Sequence, residues 1–165
     1  MSKLLILSHK EISLKLDRMA WQIIEDHHGK DDIVLIGIEN RGVYVASELE
    51  RRLAKFSSKE IKSVQLSIDK DAPLSSPISI SNRDFIKNSA CILVDDVLNS
   101  GITLCGAMAD ILKMNPSSLK VAVLANRDHH KFPVAATYVG ISLATTLKEH
   151  ISFEHTKDNM SVWLV

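Results

Sequence analysis

The stretch Asp95-Asp96-Val97-Leu98-Asn99-Ser100-Gly101-Ile102-Thr103 carries the residue types best suited to chemistry in this chain. Two adjacent carboxylates close an apolar run, and a small polar turn leads from them into a helical stretch. Neighbouring strand residues point to opposite sides, so Asp95 and Asp96 are expected to serve different roles. Gly101 permits backbone angles that other residues resist and lets a ligand approach closely. Free amides at the start of the following helix, its dipole and the hydroxyls of Ser100 and Thr103 suit a dianionic phosphate. The carboxylates repel that phosphate but suit the hydroxyls of an attached sugar, or a metal ion, beside it. A sugar phosphate therefore satisfies both halves. An isolated acidic pair followed by Ser-Gly reads more simply as an acidic strand end and a capped helix. The full nine-residue string after Ile92-Leu93-Val94 is what makes the chemical reading specific.

A second turn, Glu39-Asn40-Arg41-Gly42, follows the apolar run Ile33 to Ile38 and precedes a helical segment. It offers amides and one guanidinium to a second anion, or it is a plain solvated connection. Glu39 would cost affinity there unless it points away or acts through a cation. His27-His28 and His129-His130 lack the spacing that directs two imidazoles onto one metal ion, and they read as solvated loop or helix-end residues.

The elements that position these turns are legible in outline. Ser8 with Glu11 forms a capping-box pattern, and Ile12, Leu16, Met19 and Ile23 follow as an amphipathic stripe ending near Gly29. Ile33 to Ile38 and Cys91 to Val94 are continuously apolar, as strands buried on both faces of a parallel sheet are. Val43 to Lys55 and Thr103 to Lys113 read as helices. Ile61 to Ile68, Leu119 to Ala125 and Ala136 to Gly140 read as strands, and Ser161 to Val165 as a final edge strand. Asp69 to Arg83, with Pro73, Pro77 and several serines, is expected to be a mobile loop. Strand and helix alternate, so the fold class is α/β: a mainly parallel central sheet flanked by helices. Right-handed crossovers place the post-strand loops at one sheet edge, where such folds bind ligands.

The 165 residues suffice for one domain, 1–165, with a real core. Twenty basic residues balance twenty acidic ones, which argues against a broad nucleic-acid-binding face. Cys91 and Cys105 sit in apolar runs and read as two buried thiols of a reducing compartment. The apolar stretch from Met1 to Leu7 is too short for a signal core or a membrane span. The expected location is cytoplasmic.

The run Ile92 to Thr103 resembles the phosphoribosyl pyrophosphate signature of type I phosphoribosyltransferases. The resemblance covers most of the chain and is greatest to the bifunctional pyrimidine operon regulator/uracil phosphoribosyltransferase group. Leu16 to Ala20, Ile36-Gly37-Ile38 with Asn40-Arg41-Gly42, and Asn126-Arg127-Asp128-His129 followed by Tyr138-Val139-Gly140 have counterparts there. It implies that Asp95 and Asp96 are catalytic, contact the ribose hydroxyls and hold Mg²⁺ directly or through water. It implies that Asn99, Ser100, Gly101, Ile102 and Thr103 hold the 5-phosphate, and that Asn40, Arg41 and Gly42 hold pyrophosphate. It also implies a base site at Asn126, Arg127, Tyr138 and Val139, although Tyr138 fits a plain core aromatic equally well. The implied reaction joins phosphoribosyl pyrophosphate to a nucleobase, a pyrimidine such as uracil before a purine, in a homodimer or larger homo-oligomer.

Two departures bear on this. The loop from Asp69 to Arg83, which the resemblance implies is a flexible loop over the site, is shorter than in the uracil enzymes and lacks their tyrosine-arginine pair, leaving Lys70 as the nearest cation. Ala135 and Ile141 stand where the regulator carries cations, while Arg18, Arg127 and Lys131 remain. An enzyme is therefore favoured over an RNA-binding regulator, and a slow, degenerate nucleotide-binding homologue is the third reading.

Overall fold

A computed structural model describes residues 3–29, 32–145 and 149–165. Of the N-terminal apolar stretch, Met1 and Ser2 lie outside the described residues. The chain opens with β1 (Leu4–Leu7) and helix α1 (His9–Asp26). The capping box at the start of α1 forms as expected: the Ser8 amide donates to Glu11 Oε2 at 2.8 Å and its hydroxyl at 2.6 Å. The stripe Ile12, Leu16, Met19 and Ile23 is fully buried. The helix ends earlier than Gly29, at a His27 cap, and Gly29 follows in the left-handed region at φ +78°.

Then come β2 (Asp32–Ile38), α2 (Arg41–Phe56), β3 (Glu60–Ser67), the two-residue β4 (Ser79–Ile80) and a short 3-10 turn (Arg83–Phe85). The second half supplies β5 (Ala90–Leu98), α3 (Ile102–Leu112), β6 (Ser118–Arg127), β7 (Tyr138–Leu143), β8 (Ile151–His155) and β9 (Met160–Leu164). The main sheet has six strands in the order β4-β3-β2-β5-β6-β7. All its pairs are parallel except β3 with β4.

The alternation of β2 and β5 explains the layers. Ile33, Leu35, Ile92 and Val94 face α1 and α2, while Val34, Ile36, Cys91 and Leu93 face α3. Both faces are thus covered, which is why these strands read as unbroken apolar runs. From β2 the chain builds outward to β3, and from β5 outward to β6 and β7 in the opposite direction. The switch between β2 and β5 leaves a crevice at their C-terminal ends, where open α/β sheets take ligands.

One expectation needs correction. The terminal strand is no edge of the main sheet. It is the middle strand of a separate antiparallel sheet, β1-β9-β8, in which Leu4 pairs with Leu164 and Phe153 with Val162. This small sheet packs Phe153, Met160 and Val162 into the same core as α1 and α2. Two smaller expectations also shift. His27 is buried, with Nδ1 2.8 Å from the Ile23 carbonyl, and Cys105 is only half-buried.

Candidate active site

The two sequence motifs meet in one cavity of about 270 Å³ in the β2/β5 crevice. Asn40, Arg41, Asp95, Asp96, Asn99, Ser100, Gly101 and Thr103 line it, joined by Lys70 from the loop after β3 and Ile151 from the small sheet. Gly42 and Ile102 stand just behind the lining, at the starts of α2 and α3.

The cradle is the start of α3. Gly101 caps the helix at φ +88°, a left-handed conformation that favours glycine. Its carbonyl accepts from the Cys105 amide at 2.9 Å, which starts the helix, and in the turn before it the Ile102 amide donates to Ser100 Oγ at 3.4 Å. The Ser100 carbonyl accepts from both the Lys131 and the Phe132 amides at 3.0 Å. That clamp fixes the turn from the far side, and it was invisible in the sequence because it spans some thirty positions.

Asp95 and Asp96 form the floor, 5% and 6% exposed. The Asp96 amide donates to Asp95 Oδ1 at 2.9 Å. Burial, and then the charge of Asp96, push the Asp95 carboxyl well above the usual carboxylate range, while Lys70 pulls the other way. Pairing like charges in a dry site is unfavourable for folding and useful for holding a cation. Arg41 reaches across from α2 to within 3.7 Å of Asp96 Oδ2.

The second turn is held close by Gly42. An added Cβ there would lie 2.8 Å from the Val94 carbonyl oxygen and 3.2 Å from Asp95 Oδ1, so the start of α2 rests directly on β5. Asn40 adopts φ 65°, ψ −103°, a sparsely populated conformation of the kind that clusters at ligand clamps. Glu39 points away: its carboxylate accepts from Ser67 Oγ at 2.6 Å, which removes the expected clash with a bound anion.

The four base-site residues lie outside the cavity lining. Asn126 and Arg127 sit at the C-terminal end of β6, with Asn126 bonded to Ser142 Oγ (3.2 Å) and His130 Nε2 (3.0 Å), and Arg127 donating to Thr145 Oγ1 (2.7 Å). The Val139 carbonyl accepts from Arg18 at 2.8 Å. Tyr138 takes the core-aromatic role, one of the two that the sequence left open, and not the base-site role. It is 1% exposed within the α1 core, and its hydroxyl donates to Asp26 Oδ2 at 2.9 Å. A base could not stack on it without unpacking the core. Tyr138→Phe is accordingly expected to lower stability by about 1 kcal/mol, the usual net value of one hydrogen bond, with base affinity and turnover unchanged. Urea unfolding alongside steady-state kinetics checks this.

Among the described residues no group of three or more His, Cys, Asp or Glu is arranged to hold a metal by itself. The acidic pair nevertheless fits Mg²⁺, a hard cation that takes one or two carboxylates and completes its shell with substrate oxygens.

A buried acidic pair, a glycine-capped helix start and a guanidinium turn meet at the switch point of a parallel sheet, and residues 5–157 match the phosphoribosyl transferase domain. The chain belongs to that family. It is similar to the "Bifunctional protein PyrR" of Clostridium novyi (strain NT), 36% identical over 160 residues that cover 91% of this chain and 89% of the relative. The protein of the same name from Bacillus cereus (strain AH820) is 34% identical over 163 residues, covering 92% and 90%. Among solved structures, the hypoxanthine phosphoribosyltransferase of Trypanosoma cruzi superposes with a TM-score of 0.80 at 18% identity, covering 96% and 95%. A hypoxanthine-guanine phosphoribosyltransferase from Bacillus anthracis gives 0.74 at 22%, covering 84% and 81%. At such identities the two structures speak for the fold alone.

Proposed function

We propose that this chain transfers a phosphoribosyl group from phosphoribosyl pyrophosphate to a nucleobase, a pyrimidine such as uracil, releasing pyrophosphate. The observation that carries this is the junction of the acidic pair with the α3 cradle and Arg41 in one cavity. The cradle binds the 5-phosphate, the carboxylates take the ribose hydroxyls, and the Asn40-Arg41-Gly42 turn takes the pyrophosphate. The base lone pair forms the C1–N bond as the C1–O pair leaves with pyrophosphate, which also receives the proton lost from that nitrogen. Asp95 and Asp96 stabilise positive charge developing on the sugar, and Arg41 stabilises negative charge on the leaving group. Mg²⁺, held by the same carboxylates directly or through water, would neutralise pyrophosphate charge. In this reading the base is met by Asn126 and Arg127, at the C-terminal end of β6.

The RNA-binding reading loses ground on a specific observation. Arg18 is committed to the Val139 and Gly140 carbonyls, both at 2.8 Å, and Arg127 to Thr145. Two of the three cations that the resemblance left for RNA are thereby tied into the fold. The reading includes a single domain, a cytoplasmic setting that suits the free Cys91 and Cys105, and self-association as a homodimer or larger homo-oligomer. Exposed Leu4, Leu5, Leu14 and Trp21 support that assembly. No helix of the described residues is long and apolar enough to cross a membrane.

Thr103→Val, Ser100→Ala and Gly101→Val test the cradle. Loss of either hydroxyl is expected to raise the dissociation constant of phosphoribosyl pyrophosphate about tenfold or more, since a hydrogen bond to a charged group contributes roughly 1.5–3 kcal/mol, and Gly101→Val is expected to weaken binding by putting a branched side chain at φ +88° where the backbone approaches the phosphate. Unchanged affinity by calorimetry in all three would remove the cradle from the account.

A further inference from the structure

The small sheet and the main sheet share no backbone hydrogen bond among the described residues, so side-chain contacts set how one sits against the other. β8 carries three of those side chains on one face, because alternate strand residues point the same way. Ile151 at its start lines the cavity. Phe153 is fully buried in the core shared with α1 and α2. His155 at its end stacks on Tyr44, with ring centroids 3.8 Å apart and planes inclined by 20°. Phe153 lies 5.6 Å from the His155 ring and 6.1 Å from the Tyr44 ring, and the Tyr44 hydroxyl donates to the Thr156 carbonyl at 3.4 Å.

Tyr44 belongs to the Asn40–Arg41 turn as much as to the stack. Its amide donates to the Asn40 carbonyl at 3.2 Å and so closes the first turn of α2. Asn40, at φ 65° and ψ −103°, and Arg41 line the cavity from that turn. One strand thus reaches the cavity at one end and, through Tyr44, the strained turn at the other.

We propose that the Tyr44–His155 stack ties the Asn40–Arg41 turn to the small sheet, so that an anion held on the turn fixes Ile151 over the cavity. The inference rests on the pyrophosphate role given to that turn above. An anion there holds Asn40 and the first turn of α2, and with them the Tyr44 ring. A ring already fixed has less freedom to lose in stacking, so the stack tightens and β8 opens less often. Tyr44 and His155 are then positioning residues acting through Ile151, and neither is among the residues that line the cavity.

The test is hydrogen exchange read by mass spectrometry across β8 and β9, in Mg²⁺ with and without pyrophosphate, on the unaltered chain, His155→Ala and His155→Phe. His155 is exposed, so both variants are expected to fold. Calorimetric titration of each chain sets a saturating pyrophosphate concentration. Pyrophosphate is expected to slow exchange in the unaltered chain roughly fivefold, about what one aromatic pair contributes. His155→Phe should keep most of that protection, because the stack survives. His155→Ala should lose it while still binding pyrophosphate, and should exchange faster in β8 even without the ligand. Equal protection in His155→Ala, or saturating pyrophosphate with no slowing in the unaltered chain, would overturn the inference. An unaltered chain that binds no pyrophosphate would count against the proposed function instead. Equal exchange of β8 in the unliganded unaltered chain and His155→Ala would then still overturn the tie.

Discussion

Asp95→Asn and Asp96→Asn are each expected to lower turnover about 10²-fold or more, with a much smaller loss in phosphoribosyl pyrophosphate affinity. Asparagine keeps the size and much of the hydrogen bonding of aspartate, so ground-state contacts to ribose hydroxyls partly survive. What disappears is the ability to present negative charge to the sugar as its C1–O bond opens. Titration for affinity and pyrophosphate release for turnover separate the two effects, and proportionate losses in both would mean that the carboxylates only bind. The same variant should change stability in the opposite direction. Burial and the Asp96 charge raise the Asp95 carboxyl above its unfolded value of about 3.9. Folding therefore favours the protonated form. The stability linked to this group is complete below the unfolded value and is lost as pH rises through the raised folded one. Asp95→Asn keeps an acceptor for the Asp96 amide and removes the ionisation. Its melting temperature is expected to exceed that of the unaltered chain at neutral pH and above, with the gap closing toward pH 4. Thermal melts across that range check the sign.

Gly42→Ala is the second change with a large expected effect. The new methyl would sit 2.8 Å from the Val94 carbonyl oxygen and 3.2 Å from the Asp95 Cα, both backbone atoms of a central strand. Neither can rotate away, so the start of α2 must lift. Arg41 and Asn40 ride on that start and move with it. Overpacking of this kind costs about 1–3 kcal/mol, or roughly 2–12 °C in melting temperature for a domain of this size. Turnover should suffer more, about 10²-fold, because misplacement near 1 Å is enough for that. Scanning calorimetry with steady-state kinetics would show it. A fully active Gly42→Ala would mean that the second turn is not held by this contact.

How far the sequence revealed the molecule depended on whether the signal was local. The Ser8/Glu11 cap, the α1 stripe, the apolar runs of β2 and β5 and the Asp95 to Thr103 string are all contiguous, and each was readable. The small sheet was not. Leu4 to Leu7 and Ile151 to His155 are short and ordinary, and their pairing with β9 joins positions as far apart as Leu4 and Leu164. No window contains that pattern, so β9 could be read as a strand but not assigned to its sheet. Tyr138 stayed open between a base contact and a core aromatic for the same reason, because only the fold shows that Asp26, at the end of α1, takes its hydroxyl. The close approach of the Pro73 backbone to Gly106 and the clamp on Ser100 likewise depend on backbone contacts between distant segments.

The most direct measurement incubates the unaltered chain with phosphoribosyl pyrophosphate and Mg²⁺ against a panel of purine and pyrimidine bases and follows pyrophosphate release. The account predicts sustained release with a pyrimidine, uracil foremost, abolished when Mg²⁺ is chelated. Tight binding of phosphoribosyl pyrophosphate with no release for any base would contradict it and leave a nucleotide-binding homologue built on the same cavity.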